Sequence, residues 1–181
     1  MVISSETEVL ITENRGYILQ ATNISIGYAN KSETNTIAST INLGLEKGKL
    51  IALIGENGIG KSNLLKTLTG IIPPLKGEVT LLNKSLQSFK PLALAQELSI
   101  VLTEKLPPSN LTIYEIIALG RQPYTNWLGS LSDEDTTKID EAIALTEINH
   151  LIHKKHDEIS DGQLQIVLIA RALAQDTSII I

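Results

Sequence analysis

The amino-acid sequence predicts an α/β fold with a mostly parallel sheet. Strand-like and helix-like segments alternate along its 181 residues, and this alternation is typical of helices packed over a parallel sheet. Residues 50–54 form a continuous apolar run, as expected for a strand that is covered on both faces. A glycine-rich loop follows this run directly and leads into a helical segment, which is how many anion-binding loops are built.

The composition suits one globular domain with a sizeable core, since 43% of the residues are hydrophobic and 19% are charged. The net charge of −5 argues against nucleic acid as a partner. The absence of cysteine excludes disulfides, zinc–thiolate sites and thiol catalysis. No apolar run approaches the roughly 18 residues that span a bilayer, and the N-terminus lacks the features of a secretory signal.

The first part of the chain is predicted to supply an extension and two strands. Residues 1–16 are polar and acidic, so we expect a flexible N-terminal extension. Apolar residues alternate over residues 17–28, which predicts a strand. Residues 30–40 are rich in Ser, Thr and Asn and favour a loop, and residues 41–45 are expected to form a second strand.

Short elements follow the glycine-rich loop. Residues 62–69 are expected to be helical, and Gly70 should end this helix ahead of two prolines. Residues 79–82 predict a strand. Residues 91–97 predict a short helix, and residues 98–102 predict a further strand.

The remainder of the chain is mainly helical, as in a subdomain inserted into an α/β core. Residues 112–119 predict a helix that Gly120 closes. Ser132 is expected to cap the next helix, because three acidic residues follow it where the helix dipole favours negative charge. Residues 162–174 predict a last helix, and residues 178–181 predict the start of a buried strand.

The glycine-rich loop carries the clearest functional pattern. Residues 55–62 read G-E-N-G-I-G-K-S and match the phosphate-binding pattern G-x-x-x-x-G-K-[S/T] in full. Glycines allow positive φ and a close approach of the backbone, so successive N–H groups can surround an anion. Lys61 can place its ammonium on the β- and γ-phosphates, and the Ser62 hydroxyl can coordinate magnesium. The alternative, a chance glycine loop, is disfavoured by the flanking strand and helix. The candidate nucleotide-binding residues of this segment are Gly55, Asn57, Gly58, Gly60, Lys61, Ser62 and Asn63.

A second motif stands ahead of the last helix. Residues 159–163 read I-S-D-G-Q, and residues 169–176 read I-A-R-A-L-A-Q-D. Both resemble the nucleotide-binding subunits of ABC transporters, whose signature is L-S-G-G-Q and whose following helix ends in A-R-A-L-A. The resemblance runs from about Ser25 to the last residue. It implies a P-loop NTPase core of the ABC ATPase type with an N-terminal antiparallel β subdomain. It also implies an inserted helical subdomain at about residues 105–165, within an incomplete ATP-binding domain that spans residues 17–181.

The resemblance further implies how ATP and Mg²⁺ are held. Two copies would lie head to tail as a homodimer, with each ATP between the phosphate loop of one copy and the signature of the other. Tyr28 matches the aromatic residue that stacks on adenine, and the alternative is a tyrosine packed on the core. Glu104 stands where the family has a glutamine that ligates magnesium and senses the γ-phosphate, and the alternative is a solvated loop residue. The residues expected to act in catalysis are Glu104, Ser160, Gly162 and Gln163, and the expected magnesium ligands are Ser62 and Glu104.

Besides Glu104, two departures from the family pattern bear on activity. Asp161 replaces the first glycine of the signature, and we expect it to cap the helix, because a carboxylate aimed at a γ-phosphate would repel it. Ile181 precedes the aspartate, the glutamate base and the switch histidine of the family. We therefore expect the 181-residue chain to bind nucleotide weakly and to hydrolyse it negligibly.

Within the family, the chain is most similar to the ATPase subunits of importers for iron–siderophore, haem or cobalamin, on residues 25–28, 111–124 and 172–177. This similarity implies permease subunits in the membrane as partners and a periplasmic or surface binding protein engaged indirectly. It places the protein peripherally at the cytoplasmic face of the cell membrane. Trp127 lies in the region expected to meet the permease, and a local hydrophobic plug is the alternative. Two other functions stay open, a soluble ABC ATPase without a permease and a non-catalytic nucleotide-sensing module.

Overall fold

The structure is a computed structural model, and it describes residues 16–29, 33–101 and 109–181. The chain divides into two compact units, the first ending at Lys90 and the second beginning at Pro91. Antiparallel strands, a parallel pair of strands and helices are all present, so the predicted α/β class is confirmed. The prediction of a mostly parallel sheet is wrong for the described ranges, because four of their six strands form an antiparallel sheet. The predicted limits of the N-terminal extension and of the helical subdomain stay predictions.

Four strands form an antiparallel sheet in the first unit. They are β1 (Tyr17–Ala29), β2 (Thr34–Glu46), β3 (Lys76–Leu81) and β4 (Lys84–Ser85). Their order is β2-β1-β3-β4, and β1 is central because it pairs with both β2 and β3. This sheet is the N-terminal antiparallel β subdomain that the resemblance implied.

One helix packs on this sheet and follows the glycine-rich loop. Helix α1 (Lys61–Leu68) contacts β1 and buries Leu64 and Thr67 on its inner face. Burying a leucine completely contributes about 1.5–3 kcal/mol to stability. The chain leaves the helix at Gly70, whose φ of 76° is readily adopted only by glycine. The predicted helix over residues 62–69 is therefore confirmed, shifted by one residue.

Strand β2 is longer than the sequence predicts. The predicted loop over residues 30–40 is wrong from Thr34 onward, because these residues pair with β1, with Asn35 opposite Tyr28 and Ala38 opposite Ile26. Most side chains in this part of β2 are exposed. An outward-facing strand tolerates Ser, Thr and Asn, and threonine is itself favoured in strands. Its polar composition therefore reflects solvent exposure and not a turn.

The apolar run at residues 50–54 is not a strand in the structure, so the prediction of a buried strand here is wrong. Only Ile54 takes part in a bridge, and Leu50, Ile51 and Ile54 are exposed. A parallel strand becomes buried when neighbouring strands and covering helices enclose it. In the described part of the first unit, the one sheet is antiparallel and does not include this run.

The second unit is mainly helical and contains a small parallel sheet. The predicted helices over residues 91–97, 112–119 and 162–174 are confirmed within one residue at each end. None of the helices in the described ranges combines the length and the apolar character needed to cross a bilayer. The helices and strands of the second unit are α2 (Pro91–Glu97), β5 (Leu98–Ser99), α3 (Ile113–Ala118), α4 (Asp133–Leu145), α5 (Asp161–Ala174) and β6 (Ile179–Ile180).

Helices α3, α4 and α5 enclose the core of this unit, and β5 pairs in parallel with β6. All three of these helices begin with a reciprocal cap. The Ser132 hydroxyl accepts a hydrogen bond from Asp135 N at 3.2 Å, and Asp135 Oδ2 accepts one from Ser132 N at 2.9 Å. The predicted cap at Ser132 is thus confirmed, and Thr112 caps α3 in the same way with Glu115. Such caps satisfy N–H groups that a helix start leaves unpaired.

A buried ion pair between Arg121 and Asp135 lies within this unit. Arg121 Nε donates to Asp135 Oδ1 at 2.8 Å, and both side chains are at most 5% exposed. Arg121 Nη1 donates to the carbonyl oxygen of Ala174 at 3.0 Å, at the end of α5. The guanidinium carbon also lies 3.9 Å from the centre of the Tyr124 ring. Arg121 therefore ties the start of α4, the end of α5 and the loop after α3 together.

Because of this arrangement, the stability of the folded chain depends on the ionisation of Asp135. Burial opposes its ionisation, but hydrogen bonds from Ser132 and Arg121 outweigh burial and hold the pKa of the Asp135 carboxyl below its usual value. A carboxyl whose pKa is lowered by folding stabilises the folded state at pH values above its pKa in the unfolded chain, which is about 3.9 for aspartate. This stability is lost as the pH falls through the pKa of the folded state.

Candidate nucleotide-binding site

The glycine-rich loop has the backbone conformation that an anion site requires. Gly58 has a φ of 85° and Gly60 a φ of 103°, so both are in the left-handed region that favours glycine. Gly60 is the N-cap of α1, and the loop therefore ends on the positive end of a helix. A side chain at position 58 would meet no atom within 4 Å, so the loop is open there. This combination of a concave backbone and a helix N-terminus suits a phosphate group.

The side chain of Lys61 contacts the backbone of this loop. Its Nζ donates hydrogen bonds to the carbonyl oxygens of Gly55 and Glu56, each at 2.7 Å. The ammonium is thus held at the loop by weak neutral acceptors. Phosphate oxygens are negatively charged and therefore attract an ammonium more strongly than neutral carbonyl oxygens do. Lys61 Nζ therefore lies at the loop that the sequence predicts to bind phosphate.

The loop is supported by the antiparallel sheet. An atom added at the Cβ position of Gly60 would lie 2.6 Å from Cγ2 of Ile37 and 3.6 Å from Cδ1 of Ile26. Glycine is therefore required at this point both for its φ and for the close contact with the sheet. Ile37 is not among the residues predicted for the site, because the composition of residues 30–40 predicts a loop. The signal that could have found it is its β-branched side chain within a threonine-rich run.

Tyr28 lies on β1, two residues after Ile26, and so belongs to the same end of the sheet as the loop. Two residues along a strand span about 7 Å, which is within the size of a nucleotide. The Tyr28 side chain is 57% exposed. The alternative of a tyrosine packed on the core is therefore wrong, and the ring is accessible for stacking.

Asn63 has an unusual environment in the first turn of α1. Its side chain is 4% exposed, and neither its Nδ2 nor its Oδ1 has a hydrogen-bond partner. An unpaired buried amide costs about 1–3 kcal/mol. The neighbouring Ser62 is exposed and is available to a ligand. Ser62 thus offers a hydroxyl at the start of α1 that fits a metal ion held by a nucleotide, and Asn63 keeps unpaired polar atoms buried beside it.

The predicted metal ligands are only partly described. Ser62 lies at the start of α1, and Glu104 lies outside the described residues. In the described ranges, no group of three or more His, Asp or Glu side chains could hold a metal ion by itself. A magnesium ion here would therefore depend on the nucleotide phosphates and a few protein ligands, as is usual for this ion.

The signature residues form the start of α5 in the second unit. Ser160 is the N-cap, and its hydroxyl accepts a hydrogen bond from Gln163 N at 3.2 Å. Gln163 Oε1 in turn accepts from Ser160 N at 3.0 Å. Gly162 is exposed, and a side chain there would meet nothing within 4 Å. The structure thus brings Ser160, Gly162 and Gln163 together at an open helix N-terminus.

The expectation that Asp161 caps this helix is wrong. Asp161 is the first helical residue, and Ser160 takes the cap position together with Gln163. The physical reason is that a serine with a glutamine three residues later satisfies two N–H groups at once. Asp161 is exposed in the first turn, where the helix dipole stabilises its negative charge. Its carboxylate is therefore not tied into the cap.

The comparisons with known proteins agree with this arrangement. The sequence pattern of the ABC transporter family matches residues 38–181. An ABC transporter ATP-binding protein of Methanocaldococcus jannaschii, MJ0873, is 40% identical over 91% of the chain and 55% of its own length. The iron(3+)-hydroxamate import ATP-binding protein FhuC of Bacillus subtilis is 34% identical over 90% of the chain and 59% of its own length.

A solved structure gives the same result for the fold. The dimeric ATP-binding cassette MJ0796, in a post-hydrolysis state with ADP and Pi, matches with a TM-score of 0.74 and 25% identity, over 90% of this chain and 72% of the cassette chain. The chain spans little more than half the length of the two curated relatives. Cassettes of this family bind ATP. The chain therefore belongs to the ABC transporter family and is similar to its ATP-binding subunits.

Proposed function

We propose that this protein binds ATP with Mg²⁺ at residues 55–63 and serves as the ATPase subunit of an importer. The observation that carries the proposal is the open loop ahead of α1, with Lys61 Nζ held 2.7 Å from two loop carbonyls. Phosphates would take the loop N–H groups and the ammonium, while the Ser62 hydroxyl would face the metal ion. Bound Mg²⁺ would neutralise phosphate charge, and Tyr28 would stack on the base.

The signature of a second copy would complete the site. Ser160 presents a hydroxyl at the positive end of α5, a 14-residue helix. Its bond to Gln163 Oε1 is long, at 3.3 Å, so the hydroxyl proton can turn toward a phosphate of the partner's nucleotide. The dimeric cassette to which this chain is similar supports a homodimer. Ser160, Gly162 and Gln163 are the proposed contacts, and Glu104 is the proposed sensor of the γ-phosphate.

An exposed apolar surface on the second unit suits a permease. Trp127 is 92% exposed and Leu128 is 66% exposed. The loop that carries them is ordered, because Asn126 Oδ1 accepts hydrogen bonds from Leu128 N at 3.0 Å and from Ser130 N at 3.1 Å. The alternative of a local hydrophobic plug is wrong, since a plug would be buried. A fixed, exposed tryptophan is typical of a protein contact.

The transported material is proposed to be a chelated iron compound. The supporting observation is the 34% identity to an ATP-binding protein named for the import of iron(3+)-hydroxamate. In such a system, the protein would act at the cytoplasmic face of the membrane. A binding protein outside the membrane would be engaged only through the permease.

The proposal is tested by replacing Lys61 with alanine. This change removes a charge-assisted contact with the phosphates, so ATP affinity should fall about ten- to a hundredfold. The measurement is titration calorimetry with ATP and magnesium on the purified chain. Lys66→Ala is the matched control, because Lys66 is an exposed lysine in the last turn of the same helix. Equal ATP affinity in the Lys61 and Lys66 variants would contradict the proposed site.

A second prediction concerns the adenine contact. Tyr28→Ala should weaken ATP binding about three- to tenfold, since aromatic stacking contributes about 0.5–1.5 kcal/mol. Tyr28→Phe keeps the ring and should bind ATP like the wild-type chain. The measurement is the same titration, repeated with inorganic triphosphate, which has no base. If Tyr28→Ala weakened triphosphate binding as strongly as ATP binding, a stacking role would be ruled out.

A third prediction concerns the permease. Trp127→Ala should reduce co-purification with the permease subunits of the importer and leave ATP affinity unchanged, because it deletes only the exposed anchor. Leu145→Ala is the control, since Leu145 is an apolar side chain of α4 that is 74% exposed. Retention of the permease by the Trp127 variant at the level of this control would argue against the surface.

A further inference from the structure

The rim of the phosphate loop contains a chemically labile pair of residues. Asn57 is followed by Gly58, and no other asparagine of the chain precedes a glycine. Both residues are exposed. Gly58 has a φ of 85°, and its missing side chain leaves free space around it. The feature that makes this loop suitable for phosphate also leaves the peptide bond after Asn57 unshielded.

The chemistry that such a pair allows is intramolecular. The backbone nitrogen of the residue after an asparagine can attack the side-chain carbonyl carbon, and a side chain on that residue or a hydrogen bond from its N–H opposes the attack. Gly58 has no side chain, and within the described part of the chain its N–H donates to no acceptor. Neither of the usual obstacles is therefore present at this bond.

We propose that Asn57 is a site of spontaneous deamidation that converts the phosphate loop into a form unable to bind nucleotide. Gly58 N forms a bond to Cγ of Asn57, the Cγ–Nδ2 bond breaks, and ammonia leaves with the proton of Gly58 N. The resulting five-membered imide is then opened by water. Opening at Cγ gives aspartate at position 57, and opening at the backbone carbonyl gives isoaspartate. No oxidant or reductant is involved.

Either product would change the loop in a way that opposes phosphate binding, and this half of the inference rests on the proposed function. A carboxylate replaces a neutral amide on the rim of a loop whose N–H groups and Lys61 ammonium are arranged for an anion. A carboxylate near a phosphate repels it, because both carry negative charge. Isoaspartate also inserts a methylene group into the backbone. This extra group would disturb the backbone conformation of the loop, which depends on the positive φ values of Gly58 and Gly60.

The signature supplies a contrasting pair within the same chain. Asp161 precedes Gly162, which by sequence alone would make it a site for the same ring closure. Both residues, however, lie in the first turn of α5, where the Ser160 and Gln163 cap holds the backbone in a helical conformation. Ring closure there would have to break the start of the helix. The structure therefore assigns the reaction to Asn57 and not to Asp161.

The test uses the purified 181-residue chain without nucleotide, incubated at mildly alkaline pH, where attack by the backbone nitrogen is favoured. Peptide mapping by mass spectrometry follows the mass change at Asn57, and enzymatic methylation detects isoaspartate at positions 57 and 161. Asn83 is the internal control, because it is an exposed turn asparagine followed by Lys84. Freshly purified Asn57→Asp represents the aspartate product, and its fold is checked by circular dichroism.

We expect Asn57 to convert several times faster than Asn83, Asp161 to stay unchanged, and Asn57→Asp to bind ATP about tenfold more weakly or worse. If Asn57 converted no faster than Asn83, the proposal that Asn57 is a site of deamidation would be overturned. If the Asn57→Asp chain were folded and bound ATP with wild-type affinity, the proposal that deamidation prevents nucleotide binding would be overturned. Failure of the proposed function itself would show differently, as a wild-type chain that does not bind ATP while Asn57 still converts.

Discussion

Replacing Arg121 with methionine should lower the free energy of unfolding by about 3–5 kcal/mol, because it leaves the buried carboxylate of Asp135 without its partner. The same change removes the hydrogen bond to the Ala174 carbonyl and the contact with the Tyr124 ring. Methionine is similar in length and apolar, so little packing volume is lost. Chemical denaturation followed by circular dichroism measures the effect.

The control for this variant is Lys138→Met. Lys138, which is partly exposed, forms ion pairs with the exposed carboxylates of Glu141 at 3.4 Å and Asp176 at 3.2 Å. Exposed pairs contribute about 0–1 kcal/mol, so this variant should be close to the wild-type chain. Adding Asp135→Leu to Arg121→Met should recover part of the loss, since the unpaired charge is then absent. Equal stability of the Lys138 and Arg121 variants would show that the buried pair is not a major stabilising contact.

The pH dependence gives an independent check on this pair. Because the pKa of Asp135 is lowered, the wild-type chain should lose stability as the pH falls below about 3.9. The double variant that combines Arg121→Met with Asp135→Leu lacks this titrating group and should show a shallower acid slope.

Replacing Gly120 with alanine should have the second largest effect, about 3 kcal/mol, at the upper end of what overpacking costs. A Cβ at this position would overlap the backbone carbonyl oxygen of Arg171 in α5. Backbone atoms within a helix cannot turn aside as a flexible side chain can, so the loop after α3 and α5 would have to separate. Their separation would also disturb the neighbouring Arg121 contacts.

Gly162→Ala is the matched control for Gly120→Ala. Gly162 is in the first turn of α5, and a side chain there would meet no atom within 4 Å. Alanine is a better helix former than glycine by about 0.5–1 kcal/mol, so this variant should be slightly more stable than the wild-type chain. Denaturation of both variants measures the difference. A loss of less than about 1 kcal/mol in Gly120→Ala would mean that the close contact with α5 is not needed.

Local signals account well for the parts of the fold that short segments determine. Ser132 followed by acidic residues marks the start of α4, and Gly70 marks the exit from α1, because caps and left-handed glycines act within one turn. The glycine-rich loop can be predicted for the same reason, whereas Ser160 to Gln163 are singled out by the resemblance to the signature of ABC transporter subunits.

The remaining features depend on contacts between distant parts of the chain. Residues 34–40 look like a loop until their pairing with β1 is known. Arg121 meets the end of α5 through a carbonyl oxygen 53 residues away, and no periodic pattern records such a contact. The apolar run at residues 50–54 shows the opposite error, since hydrophobicity indicates a tendency to be buried but does not supply the strands that would cover it.

Trp127 is the one tryptophan of the chain, and its position has a practical consequence. Nearly all of its indole ring faces water, so the intrinsic fluorescence of the unlabelled protein reports on a single place. Its emission should be red-shifted and open to quenching by iodide. A partner that covers this ring would shift the emission to the blue and protect it from the quencher. Binding at this surface can thus be followed by emission alone, without a dye or an added tag.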